Sequence, residues 1–160
     1  MEDTSRKKER AEAVYQGIVS ALNRRDWNFK QDPENFVISF GVRGNDLPVK
    51  LLIRVDWEAE KIRVTSPMTF KMKEDKRVIG TMAVAIINYA LSVGAFSMNM
   101  SDGEIVYDLN TPYIDSTLTE DVYESLIDLT VNTVDNYNDR LFAMNMGLLD
   151  VDEFMEQESN

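Results

Sequence analysis

The sequence predicts a single α+β domain: a helix, three or four antiparallel strands, a second helix, a two-stranded hairpin and a long C-terminal helix. Three observations carry this. Apolar residues recur at the helical period near both ends of the chain, and they alternate with period two across 36–65 and again across 96–109. The turns between the alternating runs are short, which makes consecutive strands antiparallel neighbours. With 160 residues, 44% of them hydrophobic, the chain is long enough to bury about 70% of its unfolded surface around one core.

The first helix is read from Thr4 to Asn23. Ala11, Val14, Tyr15, Ile18 and Leu22 share one face, while Lys8, Glu9, Glu12 and Gln16 lie opposite, and Thr4 or Ser5 serves as N-cap. A short strand at Trp27 to Gln31 ends in the Asp32-Pro33 turn signal. Phe36, Ile38, Phe40 and Val42 then alternate with Val37, Ser39 and Gly41. After Arg43-Gly44-Asn45-Asp46, Val49, Leu51, Ile53, Val55 and Trp57 alternate with Lys50, Leu52, Arg54 and Asp56. Ile62 and Val64 continue the inward face, and Pro67, with no N–H to donate, is expected to end the ladder. Val37 and Leu52 fall on the outer face and are candidate partner-binding residues.

A basic connection, Lys71 to Arg77, precedes 24 residues without a charge, Val78 to Ser101. That length would permit a membrane span. Gly80, Asn88, Ser92, Gly94 and Ser97 interrupt it, however, and its second part alternates, so it reads as a buried helix (Val78 to Val93) followed by a strand. The helix is apolar almost all round and must therefore be covered all round. One face lies on the sheet. A second copy of the chain is expected on the other, through Ile79, Met82, Ala83, Ile86 and Ala90, with Gly80 and the alanines allowing close approach.

Phe96, Met98 and Met100 begin a hairpin, Asp102-Gly103 is a type I′ turn signal, and Ile105, Tyr107 and Leu109 return along the same face. Thr119 is the expected N-cap of the last helix, followed by Glu120 and Asp121. Val122, Leu126, Leu129, Thr133, Tyr137, Leu141 and Met144 form its inward stripe. The domain is expected to close at Gly147, residues 1–147, leaving 148–160 as an acidic tail. That tail is either frayed or a docking segment with Leu149 and Phe154 as its apolar points.

Composition removes several chemistries. With no cysteine there is no disulfide framework, thiolate metal site or thiol nucleophile. With no histidine, the usual general base and the usual zinc ligand are absent too. Acids on polar helix faces, such as Glu124, Asp128, Asp135 and Asp139, do not make a recognisable catalytic pair, and no phosphate-binding glycine motif occurs. No catalytic, cofactor-binding or metal residues are therefore assigned, and no cofactor is expected. The charged N-terminus lacks an apolar signal segment, which points to the cytoplasm. Net charge is −11, split as +3 over residues 1–100 and −14 over 101–160. The acidic part opposes binding to nucleic acid, and it reads either as a solvated face or as a surface for a basic partner.

The stretch Asn88-Tyr89-Ala90-Leu91-Ser92-Val93-Gly94-Ala95-Phe96, then Asp102-Gly103-Glu104-Ile105, Leu118-Thr119-Glu120, Asp135-Asn136-Tyr137 and Gly147, resembles the YbjN family, which adopts the fold of type III secretion chaperones. The resemblance implies a homodimeric, non-enzymatic protein with regulatory or chaperone-like binding. It brings no catalytic residues. It implies that Asn88 pins the helix-to-strand turn before Phe96 and that Gly94 takes a backbone angle other residues resist. The leading expectation is thus a dimer that binds an unnamed protein client, without nucleic acid or membrane. A carrier of a small apolar ligand in a helix-over-sheet cavity is the alternative, and an acid-only hydrolase the third reading.

Overall fold

A computed structural model describes residues 2–159. α1 (Glu2–Arg24) buries Ala11, Val14, Tyr15, Ile18, Ala21 and Leu22, the stripe expected plus one alanine. Four strands follow: β1 (Lys30–Asp32), β2 (Val37–Val42), β3 (Val49–Asp56) and β4 (Lys61–Lys71). A 3₁₀ turn (Glu74–Lys76) leads into α2 (Arg77–Ala90), then come β5 (Ala95–Met98), β6 (Glu104–Pro112), α3 (Glu120–Asn145) and α4 (Val151–Glu158).

All six strands join one antiparallel sheet in the order β1-β2-β3-β4-β6-β5. The second hairpin is not separate: β6 lies against β4, with Val64 opposite Leu109, and carries β5 to the edge. Inward residues Ile38, Ile53, Val64, Tyr107 and Phe96 are buried because period-two alternation places them all on the face that receives the helices. α1 packs on α3 and β3, α3 crosses β3, β4 and β6, and α2 covers the β5 end. Among the described residues no helix covers the opposite face.

Pro67 does not end the ladder. β4 continues through it to Lys71, paired with β6 and bulged between Pro67 and Lys71. Pairing with β3 stops at Leu52–Thr65, and the Ser66 hydroxyl donates to the Lys50 carbonyl at 2.6 Å, serving an acceptor that proline cannot. The Asp102-Gly103 turn also differs from the expected type I′, which needs positive φ at both central residues. Only Gly103 is left-handed here (φ 79°), within a longer loop closed by Gly103 N–H to Asn99 C=O at 2.7 Å.

α3 is rotated from its expected register. Tyr123, Ile127, Thr130 and Val134 are buried, one position on from the expected Val122, Leu126, Leu129 and Thr133, and the stripes converge at Tyr137, Leu141 and Met144. Two apolar rows run side by side, and the buried one carries Tyr123, whose ring sits over Gly17 of α1 at a spacing that a Cβ would occupy. Thr119 is the N-cap residue, yet its hydroxyl makes no capping bond.

Residues after Gly147 are not a frayed tail. Asp150 and Glu153 form a reciprocal capping box that starts α4, and Phe154 is fully buried. Glu158 accepts from Tyr137 Oη at 3.1 Å and pairs with Arg140, whose guanidinium lies over the Tyr137 and Phe154 rings. α4 packs on α2, so part of the apolar girdle of α2 is covered by the chain itself.

Candidate interaction surfaces

The face of α2 turned to the sheet consists of Gly80, Ala83, Val84 and Ile87. Gly80 approaches Met72 and Met98 of its own chain rather than a second copy, and Ala83 is fully buried, so neither is available to a partner. Ile79 and Ile86 are half-buried, and Ala90 is exposed. The outward stripe is Val78, Met82, Ala85 and Tyr89, at the spacing of one helix face, and Tyr89 is 95% exposed. Asn88 points elsewhere. Its amide donates to Phe96 C=O and accepts from Phe96 N–H, both at 2.8 Å, taking up backbone groups of the β5 edge. Gly94 (φ 70°) lies where a Cβ would meet Tyr107 Oη, which donates to Val93 C=O at 3.0 Å.

On the helix-free face, two of the outward residues of β2, Ser39 and Gly41, are small. Ser39 pairs with Leu52 and Gly41 with Lys50, leaving a depression between Phe29, Leu52 (38% exposed) and Pro67. It deepens because β1 is only three residues long: Asn28 and Phe29 leave β2 where pairing would continue past Lys30–Ser39. The resulting groove has a volume of about 580 Å³. Val37, further along β2, is half-buried opposite Arg54. Of the two C-terminal candidates, Phe154 belongs to the core and Leu149 is half-buried against it, while Leu148 is exposed.

Much of the acidic C-terminal charge is answered from within. Arg24 pairs with Glu120, Asp121 and Glu124 of α3, and Arg25 with Glu124 and Asp128, the last as a two-pronged contact. The Arg25 hydrogen bond holds the Asp128 carboxyl below its usual range, outweighing burial, and Arg24 does the same first for Glu124, with Arg25 adding to it. Carboxylates depressed on folding contribute stability above their unfolded pKa, near 4, and lose it as pH falls through the folded value. The double variant Arg24→Gln/Arg25→Gln is therefore expected to melt below wild type at pH 7, with the gap closing in a calorimetric pH series as the pH falls below the ordinary carboxylate range. An equal gap at all pH values would mean that the seam acts by packing alone. The acidic row of α3, which read either as a solvated face or as a surface for a basic partner, thus serves in large part as an α1–α3 clamp.

Among the described residues no group of three acids converges to hold a metal ion, and buried Glu60 is paired with Arg10 and Lys7. No helix among them is long and apolar enough to cross a membrane.

An antiparallel six-stranded sheet with helices on one face, in this order of elements, defines an α+β protein of the YbjN-like fold that type III secretion chaperones share. YbjN from E. coli superposes with a TM-score of 0.60 over 85% of this chain and 95% of its own, at 10% identity. A chain of the ExsC–ExsE complex superposes at 0.55 over 81% of this chain and 93% of its own, also at 10% identity. No protein-family model and no curated protein matches by sequence. At such identity the likeness establishes the fold, and the resemblance read from the sequence stands at that level.

Proposed function

We propose that this protein is a homodimeric, non-enzymatic binding module that holds a segment of a client protein on the helix-free face of its sheet. The observation that carries the reading is that bare face: among the described residues no helix covers one side of the six-stranded sheet, and an apolar groove lies on it over β1, β2 and β3. Client addition at the sheet edges has less support. Asn88 occupies backbone groups of β5, and β1 offers three residues. The complexed state of the ExsC–ExsE structure favours a protein partner, and YbjN, a proposed transcription regulator, leaves a regulatory outcome of that binding open. A small-ligand carrier is less supported, because the helix–sheet interior is filled; a void of about 10 Å³ between Ile18, Ile53 and Ile127 is too small for a ligand.

Self-association rests on the outward α2 stripe, an apolar patch of a kind that marks interfaces. Met82→Glu/Tyr89→Glu replaces side chains that are exposed in the single chain, so the fold should survive it. Wild type is expected to sediment as a dimer and the double variant as a monomer with unchanged circular dichroism. A monomeric wild type would remove the dimer from the reading. Client binding is tested separately by affinity purification with Leu52→Asp as control: a protein retained at defined stoichiometry by wild type and lost in Leu52→Asp is expected, and equal retention by both overturns the assignment to this face.

A further inference from the structure

We infer that the groove takes an apolar segment flanked by carboxylates, the chemistry of an acidic peptide. This rests on the binding-module reading and specifies its client. The floor is apolar, from Phe29, Leu52 and Pro67, and the rim is basic. Lys30 pairs with Ser39 and Lys50 with Gly41, so both lysines rise on the groove's own face at its two sides. Arg54 follows on β3 and is exposed. Of the acids sharing this face, Asp108 is held by Arg63 at 2.8 Å and by the Thr65 hydroxyl at 2.8 Å, and Asp32 closes its own turn with Asn35, while Glu104 stands on the same face of β6 opposite Lys71. Among the described residues Lys30 and Lys50 are in no ion pair. The surface is thus locally positive on a chain of net charge −11. A basic segment, which the protein's overall field would attract, meets like charge here.

Gly41 supplies a clean test. A Cβ built there meets nothing nearer than Val49 O at 3.7 Å, so a larger side chain would fill the groove without disturbing the core. The probes are two fluorescein-labelled peptides, each with a central Leu-Phe-Leu, one flanked by paired glutamates and the other by paired lysines. Fluorescence anisotropy is expected to show the acidic peptide bound about tenfold more tightly, given the usual strength of exposed ion pairs. Gly41→Leu should abolish this binding at unchanged melting temperature, and Lys30→Glu/Lys50→Glu should invert the preference. Equal binding of both peptides, or binding untouched by Gly41→Leu, overturns the inference. If neither peptide binds while a client is still lost in Leu52→Asp, the acidic specificity fails and the module reading stands. If that client is also absent, both fail.

Discussion

Phe154→Ala is expected to destabilise the protein by about 3 kcal/mol or more, the usual cost of emptying a buried aromatic site. In a chain of this size each kcal/mol moves Tm by about 2–4 °C, so a fall of roughly 10 °C should be visible in a thermal melt. The ring is fully buried, and Arg140 stacks over it while pairing with Glu158 at the far end of the same helix. Removing the ring therefore loosens α4 as a unit. Truncation after Gly147 should give a comparable loss, since it removes the same anchor. Leu148→Ala changes an exposed side chain and should stay within about 0.5 kcal/mol of wild type. A Phe154→Ala protein melting with wild type would mean that α4 carries no stability. The consequence for function is direct: a segment held this firmly covers one side of α2 and is not free to fish for a partner.

What the sequence made legible follows from the range of each signal. Alternation along β2, β3, β4 and β6 reported burial correctly, because a strand with one covered face has two states per residue and little ambiguity. α1 was equally plain, with one apolar stripe. α3 carries two adjacent stripes, and choosing between them needed the knowledge that Tyr123 meets Gly17, a contact between residues about a hundred positions apart. α4 had a readable start in Asp150 and Glu153, but a two-turn helix has no stability of its own, so its existence depends on α2 and Arg140. The groove was half visible. Leu52 stood out as an outward apolar residue, whereas the depression arises from what Ser39 and Gly41 lack and from where β1 stops. α2 was read as having one face on the sheet and a second copy on the other, when the chain's own C-terminus covers part of it. Asn145 was missed altogether. It is buried at the end of α3 and clasps the chain on both sides of Met72, its amide donating to Lys71 C=O at 3.1 Å and accepting from Lys73 N–H at 2.8 Å.

That clasp sets the size of the second large effect, Gly103→Ala. Gly103 is left-handed, at φ 79°, which costs an alanine about 1 kcal/mol or a little more. A Cβ at this position would also lie 2.1 Å from Met72 O and 3.0 Å from Met72 C and N. The obstacle is backbone, and it has no room to retreat. Met72 N–H donates to Gly103 C=O at 2.8 Å, the Met72 side chain is buried, and Asn145 fixes the residues before and after it. Either the β5–β6 loop moves off β4 and gives up its bond to Met72, or the bulged end of β4 moves and breaks the Asn145 clasp. Both routes add to the conformational cost, for a total of about 3 kcal/mol and a Tm lower by roughly 6–12 °C. Gly147→Ala separates the two contributions: its φ is 73°, but the nearest atom to an added Cβ is the flexible Lys76 Nζ at 3.7 Å. It should therefore cost only the backbone share, about 1 kcal/mol. If chemical denaturation finds the two variants equally stable, the Met72 backbone yields to Gly103→Ala, and the junction of β4, the β5–β6 loop and α3 is softer than its hydrogen bonds imply. If Gly103→Ala alone is severely destabilised, that junction is the rigid corner that carries β5 and α2 beside the rest of the sheet.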